Sequence, residues 1–391
     1  MFGLEFMKNY KAIKLPFFIS KTFGSYFILM KLRLKNINLK YIFRIMLSAF
    51  VVAYIFVAPL IIFPRLKQSQ SLINQEIKVD YMGILELWNI DTFEGGSRSR
   101  LSFLENQALK FEKKHTGTFI MCYSMSVEQA QLNLANGLKP DIVSFGIGVG
   151  DKLIQSLIPL KSDYGTRDDL SVAGNLSGVQ YAVPYMMGGY VLISENEYHL
   201  SDAISQTLGY GGSSLNSAIT SLAVNKVVAK NVFEDSKKID SFYAYDKYLD
   251  KKFDVLLGTQ RDLYRVQNRI EKGNMTMRNF EYVSGFSDLV QYVGICSTDI
   301  TRQEICHKFI TQLTSAETQA TLADYNMFST TGQKLYSQSE YAKMEQALSK
   351  PLKTLSVFLT NEKIEEIKLL AEKVTNGDME SLSKLKNYLV G

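Results

Sequence analysis

The stretch Gly83 to Gly117, GILELWNIDTFEGGSRSRLSFLENQALKFEKKHTG, constrains this chain most, because three successive segments of it follow three different patterns. Ile84 to Trp88 is a short apolar run with one charge, Glu86, bounded by Gly83 and Asn89; it predicts a strand. Asp91-Thr92-Phe93-Glu94-Gly95-Gly96 is a turn-rich loop whose glycines permit close backbone approach. From Ser97, the residues Leu101, Leu104, Leu109 and Phe111 keep near-helical spacing, with Arg, Glu and Lys between them. That predicts a helix ending near Gly117. A strand that hands over to its helix in this way opens an α/β sheet, and ligands of such sheets bind beyond the carboxyl ends of the strands. Trp88, the only tryptophan, stands at that end.

The pattern repeats downstream. Thr118 to Tyr123 reads as a second strand, Ser126 to Asn136 as a helix stopped by Gly137, and Pro140 to Gly146 as a third strand. Alternation of this kind implies βαβ units with parallel strands. Gln180 to Ile193, QYAVPYMMGGYVLI, sets two apolar runs around a Gly-Gly turn. The more polar region 194–252 includes Gly209 to Ser214, expected to be a flexible loop. Phe253 to Gly258 and Leu289 to Ile295 are further strands. From Arg302 the chain is mostly helical, with a break at Tyr325 to Gly332.

Charge divides the chain. Residues 1–44 hold nine Lys or Arg against one acid, Glu5, a net of +8; the remainder holds 35 bases and 38 acids, a net of −3. The basic balance belongs to the N-terminal arm, and the mildly acidic body offers no nucleic-acid patch. Ile45 to Phe63, IMLSAFVVAYIFVAPLIIF, is uncharged over 19 positions, close to the length a bilayer core requires of a helix. The basic arm before it predicts a cytoplasmic N-terminus and an extracytoplasmic body. No A-x-A pattern and no lipid-accepting cysteine follow, so an uncleaved signal anchor is expected. An earlier apolar run, Pro16 to Met30, is interrupted by Lys21. Residues 64–79 read as a linker. Cys122, Cys296 and Cys306 form no CxxC pair; Cys296 and Cys306 either bridge or remain buried thiols.

Motifs for chemistry are sparse. Gly146-Ile147-Gly148-Val149-Gly150 follows a strand, but Asp151 occupies the place of the last small residue of a dinucleotide fingerprint, which leaves a tight strand-to-helix turn. His115, His199 and His307 lack ligand spacing, no HExxH or GxSxG is present, and no cofactor or metal is expected. Glu86, Asp91 and Glu94 cluster near Trp88. Paired carboxylates hydrolyse glycosides, yet loop acids equally accept ligand hydroxyls or cap the following helix. Trp88, Phe145, Tyr185 and Tyr190 sit at strand ends or beside Gly-rich turns. There they either pack in the core or stack on a sugar ring.

Several stretches together resemble bacterial extracellular solute-binding proteins of the carbohydrate ABC-transporter type. LWNIDTFEGGSRSRLSFLENQALKFEKKHTG resembles that family's first strand, loop and helix. KPDIVSFG resembles its P-D-[IV]-[VIL]-x-[FWG] strand, and YAVPYMMGGYVLI its crossover. FDVLLGTQRDLYRV resembles a second-lobe strand, and FITQLTSAETQATLADYNMFST the late helix and return. The resemblance implies a two-lobed α/β fold of the periplasmic-binding-protein type II kind, with a hinge, here preceded by one transmembrane helix. Mapped on this chain it implies a cytoplasmic arm 1–44, an anchor 45–63, a linker 64–79, lobe one at 80–185 and 290–328, and lobe two at 186–289 and 332–391. It implies a non-enzymatic protein that binds a sugar or oligosaccharide and passes it to permease subunits, or a membrane-anchored sensor built on the same cleft. It also implies ligand contacts: Trp88, Glu94 and Arg98; Ser144 and Phe145; Tyr185, Gly188, Gly189 and Tyr190; and Gln260 and Arg261. The chain departs from the family in lacking a lipobox cysteine and a T-W-x-E segment after the crossover.

Overall fold

Residues 43–52 and 81–391, apart from 162, 198 and 213–216, are described by a computed structural model. Most of the basic arm, all of the linker 64–79 and positions 53–63 of the expected anchor lie outside the described residues. Residues 43–52 are helical with exposed apolar side chains. Among the described residues no helix is long and apolar enough to cross a membrane. The chain divides into Met1–Lys78 and Val79–Gly391, and the second unit holds the fold.

In chain order that unit begins β1 (Gly83–Ile90), α1 (Arg100–Lys114), β2 (Thr118–Met125), α2 (Val127–Ala135), β3 (Ile142–Phe145) and α3 (Asp151–Ser156). It continues with β4 (Val183–Met187), β5 (Tyr190–Ser194), β6 (Leu208–Tyr210), α4 (Ala218–Val224), α5 (Ser241–Leu249), β7 (Val255–Thr259), α6 (Gln260–Glu271) and β8 (Asn279–Tyr282). Last come β9 (Val290–Ile295), α7 (Ile300–Thr314), α8 (Glu340–Leu348), α9 (Asn361–Thr375) and α10 (Glu380–Lys386).

Two sheets define two lobes. The first has the order β2-β1-β3-β9-β4 and the second β8-β5-β7-β6. β2, β1 and β3 run parallel, as their connecting helices require. β9 returns antiparallel between β3 and β4, so the first sheet incorporates a strand from late in the chain. α9 packs on α4 and α10, which places the C-terminal helices on the second lobe. The chain crosses between sheets at Gly188-Gly189, between β8 and β9, and again after Phe328, which bridges to Met187 at the edge of the first sheet.

Local sequence explains most boundaries. Ser99 starts α1, its hydroxyl accepting from the Ser102 amide, and Ser126 does the same for α2 through Gln129. The buried face of α1 is Phe103, Leu104, Gln107, Ala108 and Phe111, whereas Leu109 is 55% exposed. Of the expected stripe Leu101, Leu104, Leu109 and Phe111, Leu104 and Phe111 are buried while Leu109 turns outward; Phe103 joins the buried face, packing on Tyr325 as Phe111 packs on Phe309. The expected loop at Gly209 is also corrected. Gly209 and Tyr210 belong to β6, where a Cβ on Gly209 would lie 2.2 Å from the Phe253 ring. The glycine serves close packing there rather than mobility. All three cysteines are free thiols, with Cys296 and Cys306 buried.

Candidate functional site

The β1–α1 loop sits at the carboxyl end of the first sheet, on a buried polar network. The Ser144 hydroxyl lies 2.8 Å from the Tyr185 hydroxyl and donates to Asn89 Oδ1 at 3.1 Å. Gln291 Nε2 donates to Ser144 Oγ at 3.0 Å and to the Ile90 carbonyl at 3.2 Å. Arg100 donates through Nε and Nη2 to Asp91 Oδ1, at 3.0 and 2.7 Å, with its guanidinium 4.3 Å from the Phe93 ring centroid. Three buried polar atoms in this layer have no partner: Thr92 Oγ1, Arg100 Nη1 and Gln291 Oε1. Each such atom costs about 1–3 kcal/mol if left unpaired.

The facing wall comes from the second lobe, at the turn from β7 into α6. Thr259 and Asp262 form a capping box that fixes the start of α6. Asp262 then directs Arg265, one turn on, through a 2.9 Å contact from Nη1 to Oδ1. Arg265 reaches across the lobes and donates to both carboxylate oxygens of Glu94, at 2.6 Å to Oε1 and 3.0 Å to Oε2. The Ser241 hydroxyl donates to the same carboxylate at 3.1 Å. Gln260 Nε2 donates to the Glu94 carbonyl at 2.9 Å, while its Oε1 accepts from the Gly189 amide at 3.2 Å. Arg261 Nη1 donates to the Gly96 carbonyl. Glycine is required at two of these approaches: a Cβ on Gly188 would lie 2.3 Å from Gln260 Oε1, and one on Gly96 would lie 1.9 Å from the Tyr325 carbonyl oxygen.

Electrostatics follow burial. Burial pushes the Asp262 carboxyl up to about 6, against the pull of Arg265 and with a further push from Glu94. The pairing with Asp262 and Glu94 raises Arg265 despite its desolvation. Asp288, at the return from β8 to β9, is also raised by burial; it accepts from the Tyr190 hydroxyl at 2.6 Å and the Ser217 amide at 2.8 Å. Among the described residues no group of His, Cys, Asp and Glu is arranged to hold a metal ion. Of the three acids near Trp88, Asp91 and Glu94 are each committed to an arginine, and Glu86 is exposed on the strand.

The residues expected as ligand contacts separate into two groups. Glu94, Gln260 and Arg261, with Gly188 and Gly189, come together where the lobes meet. Arg98 lies on the exposed rim, 5.6 Å from the Tyr325 ring centroid. The others are buried rather than turned toward the space between the lobes. Trp88 is 3% exposed and presents no stacking face. Ser144, Phe145 and Tyr185 are fully buried, and Tyr190 is buried against Asp288. The physical reason is shared: these side chains lie on strands whose faces are both covered, so a strand-end position does not expose them. Arg265, Asp262 and Ser241 were absent from the sequence reading, although Thr259 to Arg265 carries a signal: a T-x-x-D cap followed by an arginine three residues later on the same helix face. Nothing local marks Gln291, whose partners Ile90 and Ser144 lie far away in sequence.

A small cavity of about 30 Å³ remains between the lobes, lined in part by Phe93, Glu94, Tyr190, Ser241 and Asp262. Small-molecule sites usually measure about 300–1,000 Å³, well above this cavity.

No protein-family model matches the chain, and no curated protein matches it. Solved structures do share its fold. The GacH receptor of Streptomyces glaucescens, known unliganded and with acarbose, aligns with a TM-score of 0.52 at 13% identity, over 79% of this chain and 97% of its own. The sugar-binding protein MalE from Xanthomonas citri gives 0.53 at 11% identity, over 78% and 96%. A cyclo/maltodextrin-binding protein complexed with maltotetraose gives 0.50 at 12% identity, over 81% and 97%. At this identity the shared property is the two-lobed α/β fold.

Proposed function

We propose that this chain is an extracytoplasmic solute-binding protein, held at the membrane by its N-terminal segment, that takes a sugar or oligosaccharide between its lobes and presents it to ABC permease subunits. The observation that supports this reading best is the pair of sheets joined through Gly188-Gly189 and two later crossings, with cleft-facing groups at the strand ends. A hinge of that kind couples what occupies the cleft to the arrangement of the lobes, which a membrane partner reads. Carbohydrate is supported by the ligands of similarly folded proteins and by the polar, hydrogen-bonding character of Glu94, Arg98, Gln260 and Arg261, to which Arg265 is added. The anchor is supported by the uncharged run 45–63, whose first part is helical with exposed apolar side chains. Glu94 and Asp91 engaged in ion pairs support binding rather than catalysis.

A second reading, a membrane-anchored ligand sensor, is favoured by one observation: the lobes engage each other through Glu94 and Arg265, so the closed form is available without transport. Thermal unfolding of the full chain against saccharides, polyamines and amino acids tests the first reading. A ligand at 100 times its Kd stabilises by about 2.7 kcal/mol. A saccharide hit supports uptake; a saccharide panel flat for the cooperatively folded protein and for its Arg265→Met and Glu94→Ala variants refutes a carbohydrate ligand.

A further inference from the structure

We infer that the cleft carries a latch made of its own side chains: Arg265 of the second lobe grips Glu94 of the first, and a ligand must displace that grip to occupy the cleft. The inference rests on the reading that the space between the lobes is the binding cleft, and it adds how that cleft is regulated.

Four features make the contact more than a surface ion pair, which would contribute little. The geometry is a fork on a carboxylate, with Nη1 on Oε2 and Nη2 on Oε1. The pair is withdrawn from solvent, with the Arg265 side chain 14% and the Glu94 side chain 29% exposed. Arg265 is oriented before it reaches the other lobe: Asp262 holds it from its own helix, and the Phe242 and Tyr245 rings flank its guanidinium at 5.2 and 5.3 Å. Finally, the pair does not act alone. The Gln260 amide spans from the Gly189 amide at the hinge to the Glu94 carbonyl, and Arg261 takes the Gly96 carbonyl. Side chain and backbone of one loop are thus fastened to one helix start.

The consequence is a cost of entry. A ligand that occupies this cleft must break the Glu94–Arg265 pair and displace Gln260, and only its surplus over those contacts appears as affinity. The pair therefore sets a threshold: ligands that replace both sets of hydrogen bonds open and refill the cleft, while weaker ones leave it shut.

The test measures lobe separation without added ligand. Spin labels are placed on the full chain in detergent at two exposed helical positions, Lys110→Cys on α1 and Asp246→Cys on α5, in a Cys122→Ser background. Mass spectrometry of the denatured preparation verifies that no saccharide is carried along. The expected result is a single narrow distance distribution for this protein. With Arg265→Met the distribution shifts to longer distances and broadens, and with Arg265→Lys, which keeps the charge but loses the fork, the shift is smaller. Glu94→Ala reproduces the shift from the other lobe and covers the case in which Arg265→Met fails to fold. A broad, long distribution already present in the ligand-free protein overturns the inference. So does a narrow distribution unchanged by both Arg265→Met and Glu94→Ala. Repeating the saccharide panel on this protein, on Arg265→Met and on Glu94→Ala separates the two proposals: a distance shift with a panel flat for all three keeps the latch and removes the carbohydrate ligand, and a saccharide hit with no distance shift does the reverse.

Discussion

Replacing Asp262 by Asn should remove a specific part of the protein's pH dependence. Asp262 is 1% exposed, caps α6 and contacts Arg265. Burial raises its carboxyl from 3.8 to about 6, so desolvation outweighs the attraction of Arg265. The sign follows from linkage. Between pH 4 and 6 the folded chain holds a proton on Asp262 that the unfolded chain has released, so stability falls as the pH rises through that window and levels off above it. A shift of about two units corresponds to about 3 kcal/mol. Asn keeps an oxygen for the Thr259 amide and carries no titrating group. The stability difference, wild type minus Asp262→Asn, should therefore fall by about 2 kcal/mol between pH 4 and pH 6.5, most of that full span. Urea unfolding of both proteins at half-unit pH steps measures it, provided the unfolding slope m stays constant. A difference that rises with pH over this window refutes the reasoning, because Arg265 would then be holding Asp262 ionised more strongly than burial opposes it.

Two further predictions concern stability. Gly96→Ala forces a Cβ to within 1.9 Å of the Tyr325 carbonyl oxygen and 2.6 Å of the Asn326 carbonyl oxygen; backbone must move, and thermal unfolding should register a loss of about 2 kcal/mol or more. On α1, Leu104→Ala should cost about 2–5 kcal/mol by leaving a cavity, whereas Leu109→Gln, at an exposed position, should stay within about 0.5 kcal/mol. Equal losses for the two variants would show that the helix face has been assigned incorrectly.

The elements were legible because their causes are local. A Ser N-cap, a Gly stop and an apolar run each act within a few residues, so β1, α1, β2, α2 and β3 fall close to where the sequence placed them. Errors arose where a local signal had two physical meanings. Gly209 reads as freedom but answers to the Phe253 ring, and Leu109 shares the spacing of Leu104 and Phe111 yet faces outward, while Phe103 is buried. The candidate site was legible in part. Gln260 and Arg261 follow a strand and open a helix, and Glu94 lies in the loop after β1, so all three could be assigned to strand ends.

Sequence by itself determined the periodicities, the caps, the separation of a basic arm and an uncharged run from a mildly acidic body, and the order of the elements from β1 to β3. Tertiary structure alone decided which strand ends face the cleft and what they meet there. Trp88 and Tyr185 have the sequence setting of exposed aromatics but are buried, because the first sheet recruits β9 from late in the chain and is covered on both faces. Glu94 and Arg265 lie far apart in sequence and meet only because two independently built lobes close on each other. Pairing across that distance depends on the geometry of the whole fold, and no local pattern encodes it.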